Sequence, residues 1–140
     1  MRIALATLTD LRGYGVVVGL VIAAFTINVA WSQSLSPMRG EVSSNVDLFA
    51  VKVFPGNPYK RRTRIDVRVY DTSFKPVKAR VIPPWRTIAA GDKSSFTVVV
   101  PFEGRSRRRV RICAESVPFP NETTKLRTQV CGRFLGKRLR

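Results

Sequence analysis

The side chains that could do chemistry in this chain are two cysteines and an excess of arginine; histidine is absent. Without histidine there is no Ser–His pair, and the commonest general base is missing. Asp66, Asp71, Glu103 and Glu115 stand beside arginines or in turn sequences, not in catalytic pairs. No glycine-rich phosphate loop follows a strand pattern. Two cysteines without histidine cannot complete a zinc site, so no metal site is expected. The expectation is a protein that is not an enzyme and needs no cofactor.

The cysteines and arginines share two alternating stretches. In Arg107–Glu115, Val110, Ile112 and Ala114 alternate with Arg109, Arg111, Cys113 and Glu115. In the closing run, Leu126, Thr128, Val130, Gly132 and Phe134 alternate with Arg127, Gln129, Cys131 and Arg133. A period of two marks half-buried β-strands. Both cysteines fall on the arginine side. A Cys113–Cys131 disulfide would join neighbouring strands on an outward, basic, wet face and stabilise by about 3 kcal/mol in the chain-entropy picture. Two free buried thiols are the alternative.

With Cys113 opposite Cys131, constant residue sums place Arg111 opposite Arg133 and Glu115 opposite Gln129. Like charges directly opposite are destabilising. An anion between the arginines would relieve the repulsion, and the planar guanidinium fork suits phosphate or carboxylate. If the strands holding Ile65, Val110 and Val130 share a sheet, the outward residues are Arg64, Arg68, Arg109, Arg111, Arg127 and Arg133. These six are the candidate anion-binding residues. A solvated face, with the side chains splayed into water, is the alternative.

The formal charge is +16 over 140 residues, with nine acids. Such a surface attracts polyanions, and compartment decides which. Arg2 and Arg12 flank the start of the chain, and Val16–Ala30 is almost wholly apolar. Small residues in Ala30-Trp31-Ser32 place signal cleavage before Gln33. An uncleaved anchor over residues 13–31 is the alternative, being near the length that spans a bilayer. Arginines before the apolar run orient the following chain outward. The expected location is periplasmic or secreted, or else inner-membrane anchored with the C-terminal domain outside the cytoplasm. Two cysteines beyond the leader fit an oxidising compartment. Removing residues 1–32 leaves 140 − 32, about 108 residues, carrying 23 basic minus 8 acidic groups, or +15.

The rest of the chain is strand and turn. Val46–Val53 reads as a strand with Leu48, Ala50 and Phe49 as the inward candidates, ended by Pro55-Gly56-Asn57-Pro58. Thr63–Tyr70 alternates cleanly, with Ile65, Val67 and Val69 inward. Val77–Val81 and Ser95–Val100 follow, and Trp85–Ala90 is a short strand or an extended loop. No helical period appears after the leader. Roughly six or seven short strands with Gly/Pro/Asn/Asp turns predict an all-β, immunoglobulin-like antiparallel sandwich; a small barrel is the alternative. The expected organisation is 1–32 signal peptide or membrane anchor, 33–45 linker and first edge strand, 46–136 sandwich, and 137–140 basic tail.

Ser36-Pro37-Met38-Arg39, the strand Phe49–Val53 followed by Asn57-Pro58, and Arg111-Ile112-Cys113-Ala114-Glu115 resemble the immunoglobulin-like N-terminal domain of bacterial periplasmic pilus chaperones. The resemblance is one of pattern over about 100 residues. It implies that fold, a periplasmic location and an assembly role by strand addition at an exposed edge. The residues themselves point to binding of an anionic cell-envelope polymer, lipid head groups or an acidic protein through the basic face. Few aromatics interleave with the arginines, so nucleic acid has little support as a partner. Membrane contact through residues 13–31 is expected only if the leader is retained.

Overall fold

The computed structural model describes residues 33–117, 121 and 127–139. The expected leader at 1–32, the contact through 13–31, Leu126 and the last residue of the expected tail lie outside them. Nine strands are present: β1 (Ser34–Ser36), β2 (Arg39–Ser44), β3 (Leu48–Gly56), β4 (Thr63–Tyr70), β5 (Arg80–Ile82), β6 (Trp85–Ile88), β7 (Phe96–Pro101), β8 (Arg107–Ser116) and β9 (Gln129–Arg138). They form two sheets, ordered β1-β3-β7-β5 and β2-β9-β8-β4-β6. This is an immunoglobulin-like β-sandwich.

The stretch expected as linker and first edge strand holds two strands, one in each sheet. β1 pairs antiparallel with the end of β3, and after Pro37 the chain crosses to run parallel to β9. Proline has no N–H to give a ladder, so the changeover falls where pairing must lapse anyway. At the other end β9 runs on to Arg138. Lys137 and Arg138, expected in a tail, are strand residues ion-paired to Glu41 and Asp47.

The core forms where the inner faces meet. Ile65, Val67 and Val69 of β4 and Val110, Ile112 and Ala114 of β8 face Phe49, Val51 and Val53 of β3 and Phe96, Val98 and Val100 of β7. Each such side chain contributes roughly 1.5–3 kcal/mol on burial. The phase of β3 corrects two of the three inward candidates: Phe49 is buried, while Leu48 and Ala50 face solvent. In the core the Phe49 ring packs tilted against Phe102, centroids 5.1 Å apart. That ring crosses β9 at Gly136, where an added Cβ would lie 2.4 Å from it.

Two polar groups close the ends. Arg108 falls on the inner face of β8 and is 7% exposed. Its guanidinium donates to the Pro101 carbonyl and pairs with Glu103 at 3.1 Å. Asn57, also buried, donates to the carbonyls of Arg61 at 2.8 Å and Ile88 at 2.9 Å, fixing the β3–β4 loop against β6.

Candidate functional site

Alternate residues of the five-stranded sheet point to solvent, so its outer face resolves into rows across the strands. One row runs Arg39, Arg133, Arg111, Tyr70 through β2, β9, β8 and β4. The next is Cys131, Cys113, Arg68. The third is Gln129, Glu115, Asp66, Trp85. The expected opposition of Arg111 to Arg133 and of Glu115 to Gln129 is observed.

The middle row holds the disulfide, Cys113–Cys131, with Cα atoms 4.0 Å apart. Its face is the arginine side, as the alternation predicts, but the bridge is only partly exposed: Cys113 is buried and Cys131 half-buried.

The two acids of the third row are neutralised by arginines from the rows beside it. Glu115 accepts from Tyr70 Oη at 2.8 Å and Gln129 Nε2 at 2.9 Å, with Arg68 Nε at 3.4 Å. Burial raises the Tyr70 phenol above its ordinary range, and its hydrogen bond to Glu115 adds to the rise. Asp66 accepts from Arg64 Nε at 3.0 Å, and the Arg64 guanidinium sits 4.5 Å from the Trp85 ring centroid. Arg64, Arg68 and Arg127 border a shallow hollow that also contains both acids.

The first row is different. Arg39, Arg109, Arg111 and Arg133 line a depression of about 590 Å³ together with Thr72, above Val110, Phe134 and Leu135. None of the four has a carboxylate partner among the described residues. The Arg111 guanidinium lies 4.5 Å from the Phe74 ring centroid, and its Nε is buried with no hydrogen-bond partner among the described residues. Phe74 comes from the β4–β5 turn, where its φ is 59°. A bulky residue held left-handed costs on the order of 1 kcal/mol. Asp71 builds the turn: its Oδ1 accepts from the Ser73 amide at 2.8 Å and the Lys75 amide at 2.9 Å. The Lys75 amide, with Ser73 assisting, holds the Asp71 carboxyl below the usual carboxylate range.

The six expected arginines therefore share a face but divide into two groups. Arg109, Arg111 and Arg133 stand together around a depression without acids. Arg64, Arg68 and Arg127 stand apart, beside Asp66 and Glu115. Arg39, Thr72 and Phe74 join the first group unanticipated. Arg39 sits two residues after Pro37 in the sequence, but nothing in the sequence signals its parallel pairing with β9.

Among the described residues the β2 side of β9 is unpaired before Arg133, with the Met38 carbonyl beside Gly132. β2 pairs with β9 only from Arg133 to Arg138, while β8 occupies the other side from Gln129 to Lys137. Among the described residues no strand pairs with Gln129–Gly132 on the β2 side.

No family model and no curated protein matches the sequence. Solved structures do. A structure of the Salmonella enterica SafA pilin in complex with the SafB chaperone matches at 18% identity and TM-score 0.62, over 77% of this chain and 55% of that one. The E. coli chaperone DraB matches at 16% identity and TM-score 0.63, over 77% and 56%. WR4, a C. elegans MSP family member, matches at 14% identity and TM-score 0.50, over 76% of this chain and 97% of that one. The chain thus spans about half the length of the chaperones it matches. At these identities the likeness is one of fold, and the fold is that of the immunoglobulin-like domain of periplasmic pilus chaperones.

Proposed function

We propose that this chain is an exported, non-enzymatic assembly module of the pilus-chaperone kind. It takes up an extended, acidic segment of a partner protein as an added strand on β9. The observation that carries this reading is contiguity: the edge at Gln129–Gly132, which no described strand pairs on the β2 side, leads directly into the arginine row at Arg133 and Arg39. Main-chain hydrogen bonds would hold the segment to the edge, and the unpartnered guanidinium groups would hold its carboxylates. Gln129, Val130, Cys131 and Gly132 offer little side-chain volume for deep pockets. The arginines therefore supply a large share of the affinity. A formed disulfide supports an oxidising compartment outside the cytoplasm. The chaperone neighbours support the periplasm in particular.

A reading without strand addition, in which the row holds an anionic envelope polymer, rests on the same arginines and predicts a different response. Hydrogen exchange on the protein with an acidic, extended peptide separates them. Strand addition newly protects the amides at the β9 edge between Gln129 and Gly132, and that protection persists in high salt. Simple polyanion binding weakens steeply with salt and leaves those amides exchanging as before. No new protection at any salt concentration overturns the strand-addition reading. Unchanged affinity of a folded Arg111→Glu/Arg133→Glu variant for the acidic peptide overturns the role of the row.

A further inference from the structure

The outer face of the four-stranded sheet is unlike the arginine face. β3 turns Leu48, Ala50, Lys52 and Phe54 to solvent, and β5 turns Arg80 and Ile82. Pairing through β7 sets them on one surface: Ala50, Val99 and Arg80 in one row, Lys52, Thr97 and Ile82 in the next. Leu48 is 45% exposed, Phe54 38% and Ile82 47%. Leu48, Val99 and Pro101 line a depression of about 540 Å³ with Lys78 and Arg80 around it. Lys52 Nζ lies 5.6 Å from the Phe54 ring centroid. Lys52, Lys78 and Arg80 have no ion-pair partner among the described residues, and Glu103, which also borders the depression, is held by Arg108.

We propose that this face docks on the surface of an anionic lipid bilayer. Half-exposed aliphatic and aromatic side chains, set among cations on long stems, match the boundary between acyl chains and head groups. The apolar groups enter it while the charges reach back to the phosphates. A protein partner fits less well, because lysine is depleted from the centres of protein interfaces, and Lys52 stands in the middle of this one. The charge of the whole chain, +16, drives approach to any anionic surface. The face belongs to the other sheet from the arginine row, so the two proposals stand or fall separately.

The test is sedimentation of the full chain with phosphatidylcholine vesicles, with and without phosphatidylglycerol. Binding to neutral vesicles is common to all variants and is subtracted. Each cation near an anionic surface strengthens partitioning about fivefold, so Lys52→Gln/Lys78→Gln/Arg80→Gln weakens the phosphatidylglycerol-dependent part about 100-fold. Arg111→Gln/Arg133→Gln leaves most of it. On the unsubstituted protein, spin-labelled lipid broadens the amide signals of Leu48–Phe54 and Arg80–Ile82 and spares those around Arg111. Unchanged partitioning of the triple variant overturns the proposal. So does broadening centred on the arginine row. So do concentration-dependent shifts at Leu48–Phe54 without lipid, which would mark the face as a contact with a second copy.

Discussion

Replacing Arg133 with glutamine should make the protein more stable, and the gain should vanish in salt. Arg133 is the middle of three arginines aligned across β2, β9 and β8. Adjacent strands lie about 4.8 Å apart. Two unit charges about 5 Å apart in a water-like medium repel by ~0.8 kcal/mol. Arg133 has such a neighbour on each side, so its removal relieves ~1.5 kcal/mol at low ionic strength. At 0.15 M salt, where the Debye length is about 8 Å, roughly half of that survives. For a domain near 100 residues, ~1 kcal/mol moves the melting temperature by about 4 °C or more. Thermal melts of both proteins across a salt series read this directly. The same melts carry the functional half of the argument: phosphate or citrate should raise the melting temperature of the native protein and leave that of Arg133→Gln nearly unmoved. A variant that is less stable at low salt, or a gain that is equally large at high salt, refutes the reasoning. Either result would mean that the row is not under electrostatic tension and has no need of an anion.

Substituting both Cys113 and Cys131 with alanine should cost about 3 kcal/mol, measured by denaturant midpoint, because the sulfurs close a loop with a sequence separation of 18. Arg108→Ala should cost roughly 2–3 kcal/mol by chemical denaturation, since it strips the Pro101 carbonyl of a charged donor at a buried position. Glu103→Gln should cost under ~1 kcal/mol in the same assay, its carboxylate being about half exposed. The Asp71 carboxyl lies below its ordinary value in the folded protein, so the stabilisation it provides is complete above the unfolded value near ~3.9 and is lost as pH falls through the folded value. The protection of the Ser73 and Lys75 amides, relative to their intrinsic exchange rates, should therefore fall only under acid conditions, and Asp71→Asn should abolish that pH dependence.

Much of this fold is legible in the residue pattern. Thr63–Tyr70, Arg107–Glu115 and the closing run alternate with few exceptions, and a strict period of two leaves one choice of inner face. The disulfide partners then set the register of β8 on β9, and with it the clash of Arg111 and Arg133. β3 was harder because both phases are largely apolar; only Lys52, standing in phase with Leu48, Ala50 and Phe54, marks the wet side. Arg108 breaks the alternating rule without penalty, because the open end of a sandwich lets a long cation reach a backbone carbonyl.

From its sequence alone this chain is determined as cationic and built of alternating strands, with two cysteines on the arginine side, since period, charge and cysteine content are local properties; the sandwich and the formed bridge needed the tertiary structure. Tertiary structure alone decided which arginines form a site. Arg39 reaches the row by parallel pairing across more than 90 residues of chain, given β2 against β9. Phe74 reaches Arg111 through a left-handed turn. Asp66 and Glu115 neutralise one half of the face and leave the other half bare. Those are distances between segments remote in sequence, and local patterning carries no information about them.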